Sequence, residues 1–150
     1  MSLPRFEEVT EFAPPTMGQI NGPVQAMPLK AKRQRWGWEV LFAHTSGFTG
    51  KVLFRKGDPS YPGVMQYHRY KAEVSYLFSG TCRMRWDAGD GRITEEVVTG
   101  PADMAHYIPP GARHSIIAVT DCVFFEVSNP VFEDRVNVDG EYRSAEGGAG

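Results

Sequence analysis

The sequence has no long apolar stretch and little excess charge, and each absence excludes a class of protein. No window of the 150 residues approaches the length of a transmembrane helix, and the N-terminus lacks the basic start and apolar core of a signal peptide. We therefore expect a cytoplasmic protein with no membrane partner. The formal net charge of -2 gives no sign of a basic surface, so we expect no nucleic-acid partner either.

Cysteine is also scarce. Cys82 and Cys122 are the only two in the chain, which is too few for a disulfide framework. Both fall inside predicted strands, where a buried, reduced thiol is the usual role of cysteine. The alternative is that the two thiols face each other across neighbouring strands.

Helical periodicity is missing too, and short strands take its place. Aromatic residues make up 12% of the chain, which contains 16 Gly and 11 Pro, a mix typical of short strands joined by tight turns. The length indicates one domain. The apolar patterns and turn signals predict strands at residues 36–42, 48–55, 64–68, 73–79, 81–86, 92–99, 103–108, 115–119 and 122–128.

Four residues with metal-binding side chains lie in the middle of the chain: Gln66, His68, Glu73 and His114. Gln66 and His68 are two residues apart, so on a strand both side chains lie on one face. Glu73 follows His68 by an odd number of residues, so a turn through residues 69–71 is needed to bring it to the same side. Imidazole, carboxylate and amide suit a divalent transition metal such as Zn, Fe, Mn or Ni. We predict one such ion per chain.

These residues resemble the first motif of the cupin superfamily, which is His-x-His, three or four residues, Glu, six residues, Gly. Here the motif is Gln66-x-His68, four residues, Glu73, six residues, Gly80. The resemblance implies an all-β fold, a double-stranded β-helix (jelly-roll) cupin barrel.

The second cupin motif is also present in part. Pro109, Gly111 and His114 match it, while Asp103 stands where a Gly is usual and Ala118 replaces an Asn. Together the two motifs are typical of the fold, but cupins catalyse many reactions.

Gln66 departs from the cupin pattern, in which the first ligand is His. A Gln-x-His pair with a Glu and a distant His is similar to the zinc ligand set of type I phosphomannose isomerases, although their Glu lies much farther along the chain. The alternative is a site of three ligands, His68, Glu73 and His114, in which Gln66 does not bind.

Composition also divides the chain into segments. Residues 1–33 are rich in Pro and are predicted to form an extended arm with short edge strands, residues 34–139 the cupin barrel, and residues 140–150 a mobile tail. The resemblance implies a dimer, because small cupin barrels commonly pair through such an arm or through a sheet face. The apolar side chains of this arm need burial, so we expect a homodimer; they are Leu3, Phe6, Phe12, Ile20 and Val24.

Two residues are candidates for proton transfer, Glu126 and His106. Glu126 lies in an otherwise apolar strand, where it is either outward and solvated or inward with a function. His106 lies on an alternating strand and faces either the cavity or solvent. Four further residues are candidate substrate-binding groups or, equally, rim and wall residues: Arg69, Lys71, Arg113 and Tyr76.

The expected function is that of a metal-dependent enzyme acting on a small polar molecule. Residues 124–130 resemble the closing strand of sugar-related cupins, and residues 133–138 resemble the acidic and basic exit segment that follows it. This resemblance implies a sugar or sugar-acid substrate, for which isomerase, epimerase or lyase chemistry is expected. Two histidines and one carboxylate also suit an Fe(II)-dependent dioxygenase. The third alternative is a non-catalytic cupin that binds a small ligand.

Overall fold

A computed structural model describes residues 2–15, 21–58, 60–61, 63–132, 134–138 and 140. The predicted tail, apart from residue 140, and Ile20 of the arm lie outside these residues. The strands are β1 (Glu7–Glu8), β2 (Lys30–Gln34), β3 (Gly37–His44), β4 (Thr49–Arg55), β5 (Gln66–His68), β6 (Glu73–Ser79), β7 (Thr81–Asp87), β8 (Ile93–Thr99), β9 (His106–Ile108), β10 (His114–Ala118), β11 (Cys122–Ser128) and β12 (Arg135–Asn137).

The strands form two sheets that pack face to face. The seven-stranded sheet has the order β1-β2-β3-β4-β11-β6-β9, and the five-stranded sheet has the order β12-β5-β10-β7-β8. Every pairing is antiparallel except β1 with β2. The result is the predicted all-β jelly-roll barrel. No helix in the described part of the chain has the length and apolar character needed to cross a membrane.

The interior of the barrel is apolar at one end and polar at the other. Inward side chains from both sheets form the apolar core: Leu53, Leu77, Cys82, Met84, Ile108, Ala118, Cys122 and Phe124. Both cysteines are therefore buried, and both are free thiols. Ionisable side chains are buried toward the other end, among them Lys51, Lys71, Glu73 and His114. Charged groups are rarely buried unless they are paired or functional, so this end is where a site is expected.

The turn after β5 explains how Glu73 reaches the same interior as His68. Residues 69–72 carry the chain from the five-stranded sheet to the seven-stranded sheet, so the two side chains approach each other from opposite walls of the barrel. On β6, alternation then buries Glu73, Ser75 and Leu77. The odd spacing in the sequence thus reflects a change of sheet.

β1 and β2 are short edge strands of the kind expected in the arm, whereas β12 was not expected as a strand. β2 runs across the predicted boundary between arm and barrel at residue 33 and pairs with β3 along its whole length. β12 lies within the exit segment at residues 133–138 and pairs with β5, with Arg135 opposite His68. The strand predicted at residues 103–108 is limited to β9.

Candidate metal centre

Three of the predicted ligands come together at the polar end of the barrel. One donor atom each from His68, Glu73 and His114 lies within 4.8 Å of the others. The Oε1 atom of Glu73 is 3.6 Å from Nε2 of His114 and 3.9 Å from Nε2 of His68. β5, β6 and β10 each contribute one of these side chains, so the cluster joins both sheets.

These distances fit a shared metal ion better than direct hydrogen bonds. Nitrogen and oxygen atoms 3.6 and 3.9 Å apart are too distant for a good hydrogen bond. Two ligand atoms bound tetrahedrally to one ion at about 2.1 Å would be about 3.4 Å apart. The donor set itself, two imidazoles and a carboxylate, suits Zn, Fe, Mn or Ni.

Hydrogen bonds at the far side of each imidazole orient the histidines for binding. Nδ1 of His68 is 2.9 Å from Oδ1 of Asp134, and Nδ1 of His114 is 2.9 Å from the carbonyl oxygen of Ala112. Each imidazole therefore donates its Nδ1–H outward and turns the lone pair of Nε2 toward Glu73, as metal-binding histidines do. Burial lowers the pKa of His114, which favours the neutral form that a metal needs.

Asp134 was not predicted as part of the site. Its Oδ2 atom also accepts hydrogen bonds from the backbone N–H groups of Tyr70 and Lys71, both at 2.8 Å. One carboxylate thus fixes the ring of His68 and the turn between the two sheets. Asp134 is 66 residues from His68 in the chain, so no local spacing could have revealed the contact.

Gln66 lies beside the cluster, where the fourth ligand was predicted. It pairs directly with His114 across β5 and β10, and directly opposite residues of an antiparallel pair share one face of the sheet. Gln66 also lines the same cavity as the three clustered residues. This position fits both alternatives from the sequence: Gln66 as a fourth metal ligand, or Gln66 as a neighbour of a site with three ligands.

Glu126 faces inward and pairs with Lys71, the member of the predicted substrate-binding set that reaches the site. The Nζ atom of Lys71 lies 3.0 Å from Oε1 of Glu126 and 2.6 Å from Oε2 of Glu73. Burial opposes the charge of Lys71, but Glu126 and Glu73 outweigh it and raise the pKa of Lys71. Lys71 is therefore a fixed cation that links the metal cluster to Glu126.

The two carboxyl groups beside Lys71 differ in pKa. Burial tends to raise the pKa of Glu73, but the ammonium of Lys71 outweighs it and holds the pKa below the usual value. Glu126 is also buried, and burial together with the charge of Glu73 raises its pKa. Glu73 is thus suited to remain an ionised ligand, and Glu126 to accept and return a proton.

A cavity of about 330 Å³ connects these groups. It is lined by the cluster, by Gln66, Lys71 and Glu126, and by residues that the sequence did not suggest, including Arg55, Trp36 and Tyr61. Its volume is at the lower end of the range for ligand pockets, so it suits a small molecule.

Four predicted site residues do not line this cavity. Tyr76 lies on the other face of β6 from Glu73, and its hydroxyl donates to the carbonyl oxygen of Ala102 at 2.9 Å. Arg69 is exposed on the turn after β5. Arg113 lies over the ring of Tyr67, with 5.8 Å between Cζ and the ring centroid. We therefore leave these three out of the proposed substrate site.

His106 is the fourth. Its Nε2 atom is 3.4 Å from Oε2 of the exposed Glu96, and its ring centroid is 6.1 Å from that of Trp86. It lies on β9, at the edge of the seven-stranded sheet, and is not among the residues around the cavity. The proton-transfer role is therefore proposed for Glu126 alone.

Similarity to known proteins is found at the level of structure. No protein-family model matches the sequence, and no curated protein matches it. The capsular polysaccharide assembling protein CapF from Staphylococcus aureus matches with a TM-score of 0.60 and 26% identity, over 73% of this chain and 32% of CapF. Oxalate decarboxylase from Bacillus subtilis matches with a TM-score of 0.62 and 18% identity, over 85% of this chain and 38% of that one.

A third solved structure is similar in fold at an equally low sequence identity. Oxalate decarboxylase from Lactobacillus farciminis, solved as a formate complex, has a TM-score of 0.61 at 18% identity, over 79% of this chain and 38% of that one. These proteins are cupins, and their fold agrees with the two motifs of this sequence. The chain has the cupin fold.

This chain spans about a third of the length of the solved chains it matches. The match therefore concerns the barrel, and it says nothing about the activity of the longer proteins. Within the barrel, the His68, Glu73 and His114 cluster is formed by the residues that resemble the two cupin motifs.

Proposed function

We propose that this cupin is a metal-dependent enzyme that transfers a proton on a small polar substrate, of the sugar or sugar-acid kind, in an isomerase, epimerase or lyase reaction. The observation that supports it is the direct link from the metal cluster through Lys71 to an inward carboxyl group, Glu126, within one cavity. A site that only stored a metal would not need a second buried carboxyl group beside it.

The residues have separate roles in this proposal. His68, Glu73 and His114, with or without Gln66, would hold the ion. A divalent metal there would polarise a carbonyl or hydroxyl oxygen of the substrate. Glu126 takes a proton at its carboxylate and returns it to a neighbouring atom, and its raised pKa makes it a stronger base than an ordinary carboxylate. Lys71 holds Glu126 and Glu73 in fixed positions.

Two resemblances support the substrate class. CapF is a capsular polysaccharide assembling protein, and the closing strand of this chain resembles that of sugar-related cupins. A third resemblance concerns the metal. Mn(II) centres occur in B. subtilis oxalate decarboxylase, whose fold is similar, and Mn is one of the ions that this donor set suits.

An Fe(II)-dependent dioxygenase is the second candidate. Two histidines and one carboxylate are the facial ligand set of that class, and they are the residues that cluster here. The buried pair of Lys71 and Glu126 favours proton transfer, because oxygen chemistry does not require it. A non-catalytic cupin that binds a small ligand is the third candidate, and it would not need a carboxyl group of raised pKa.

Deuterium exchange separates these candidates. The purified protein, loaded in turn with Zn, Fe(II), Mn and Ni, would be incubated with a panel of sugars and sugar acids in D₂O. NMR would detect solvent deuterium in the substrate, and an oxygen electrode would detect oxygen uptake. We expect exchange without oxygen uptake. Oxygen uptake with Fe(II) alone would favour the dioxygenase, and neither signal would favour a binding protein.

Substitution of Glu126 tests its role in the same assay. Glu126→Gln should keep the fold and the metal and lose two or more orders of magnitude in turnover, roughly the size of a general-base contribution. Glu96→Gln is the matched control, because Glu96 is exposed on β8. Near-normal turnover of Glu126→Gln would remove it from the mechanism.

We also propose that the protein forms a homodimer through the outer face of its seven-stranded sheet. Phe42, Phe78, Phe125 and Val127 are between 39% and 53% exposed on that face. The rings of Phe78 and Phe125 are 5.2 Å apart, so the apolar surface is continuous between β6 and β11. A patch of this kind usually marks a protein–protein contact.

A further inference from the structure

Arg55 is the most unusual charged residue around the cavity. Its Nε atom is buried and has no hydrogen-bond partner among the residues that the structure describes. The guanidinium lies on the indole of Trp36, with Cζ 4.2 Å from the ring centroid, and 5.9 Å from the ring centroid of Phe124. Stacking on an aromatic face holds the plane of the guanidinium but leaves its N–H groups to be satisfied.

Among the described residues no carboxylate forms an ion pair with Arg55, and Glu126 and Glu73 attract its charge only from farther away. Its direct neighbours across β4 are Cys122 on β11 and Gly37 on β3, and neither offers a charged partner. The adjacent inward row, Leu53 opposite Phe124, belongs to the apolar core. An apolar side chain would pack there without the desolvation cost of a buried guanidinium, which burial makes large enough to lower the pKa of Arg55.

The charge of the cavity favours an anionic ligand. Its basic residues are Arg35, Arg55, Lys71 and Arg135, and its acidic residues are Glu39, Glu73 and Glu126. Lys71 pairs with Glu73 and Glu126, and Lys51, which is buried opposite Glu126 on β4, pairs with Glu39. These two lysines offset two of the three acidic charges, and the three arginines more than offset the third, so the groups around the cavity carry a net positive charge. A divalent metal would add further positive charge beside Glu73.

We propose that the substrate carries a carboxylate, and that Arg55 binds this group in the cavity of the metal centre. The planar fork of a guanidinium matches the two oxygens of a carboxylate, which would supply the hydrogen bond that the buried Nε–H lacks. The proposal rests on the proposed function for the other end of the substrate, where the metal would act. Of the two substrate classes in the proposed function, sugars and sugar acids, this inference favours the sugar acids.

Binding can be measured without turnover, because Trp36 lies against Arg55. The metal-loaded and metal-stripped proteins would be titrated with glycerate, inorganic phosphate and glycerol while tryptophan emission is recorded. The Trp36→Phe variant shows which part of the change in emission comes from Trp36 and which part comes from Trp38 and Trp86. We expect saturable binding of glycerate and none of glycerol. Saturable binding of phosphate but not of glycerate would overturn the assignment to a carboxylate.

Two substitutions of Arg55 and one control test its role. Arg55→Met should weaken glycerate binding by about tenfold or more, because a hydrogen-bonded charge is lost. Arg55→Lys keeps the charge without the fork and should show an intermediate loss. Arg83→Met, on β7 and outside the cavity, should leave the affinity unchanged. Unchanged affinity in both Arg55 variants would overturn the proposal.

Stability and metal content separate this proposal from its alternatives. Glycerate should raise the Tm of the wild-type protein and not that of Arg55→Met, whose own Tm should not fall. A large fall in the Tm of both Arg55 variants, with no effect of glycerate on the wild-type Tm, would assign Arg55 a structural role and overturn the proposal. If the wild-type protein holds no metal yet binds glycerate through Arg55, the proposed function fails and this inference stands. If the wild-type protein holds metal and the Arg55 variants bind glycerate as tightly as it does, this inference fails and the proposed function stands.

Discussion

Asp134 orients the imidazole of His68 toward the metal site, although Asp134 is not itself one of the clustered donors. It accepts the Nδ1–H of His68 and holds the turn that leads to Lys71 and Glu73. His68 and His114 were identifiable from the sequence because cupin motifs place them at fixed distances from Glu73 and from a turn. Asp134, Arg55 and Trp36 follow no such spacing, because their contacts depend on which strands become neighbours.

Replacement of Asp134 by Asn should weaken metal binding by about 10- to 100-fold, the usual effect of losing a group that orients a metal-binding histidine. The measurement is competition for the metal against a chelator of known affinity. Asp121→Asn, which changes an exposed aspartate in the turn before β11, is the matched control. Equal affinity in the two variants would show that Asp134 does not act on the metal.

At the scale of elements, the strands were easier to predict than their partners. β6 and β11 were predicted with their observed bounds, because each is an apolar run closed by a turn signal. β12 is only three residues long, and its sequence has no strand pattern that distinguishes it from a loop. Whether Glu126 points inward depends on the register of β11 against β4 and β6, which sequence alternation alone cannot fix.

Gly80, the last residue of the first motif, is required by the tight connection between β6 and β7. Its φ is +91°, and a Cβ there would lie 2.1 Å from the carbonyl oxygen of Asp121. Gly80→Ala should therefore lower the free energy of unfolding by at least about 2 kcal/mol, because backbone strain at Gly80 and a clash with Asp121 combine. Urea unfolding gives the value.

Gly89 provides the comparison. It has a φ of +105° in the turn after β7, but no atom lies within 4 Å of a Cβ added there. Gly89→Ala should show only the cost of the backbone conformation, about 1 kcal/mol. Equal losses in the two variants would mean that the contact with Asp121 does not matter.

At the scale of the whole molecule, the arm packs against its own barrel. The ring of Phe6 lies 4.8 Å from that of Trp38, and the ring of Phe12 lies 5.8 Å from that of Phe132. β1 adds to the edge of the seven-stranded sheet beside β2. These arm contacts are with the arm's own barrel, so we place the dimer contact on the sheet face.

Light scattering at micromolar concentration should therefore give the mass of a dimer. Phe125→Glu should shift the protein to monomer, because a charge on the apolar face must be buried on association. Val97→Glu changes a residue that is 64% exposed on β8 of the other sheet, and it should leave the dimer intact. A monomeric wild-type protein, or a dimer that persists in Phe125→Glu, would contradict the proposed interface.

The metal content of the purified protein tests the central claim most directly. Elemental analysis should find about one divalent transition-metal ion per chain in the wild-type protein. His68→Ala and His114→Ala should each remove most of it, because each deletes one of the three clustered donors. His106→Ala, which alters a histidine outside the cavity, should retain the ion. Full occupancy in the His114→Ala protein, or a wild-type protein that takes up no metal when it is supplied, would contradict the account.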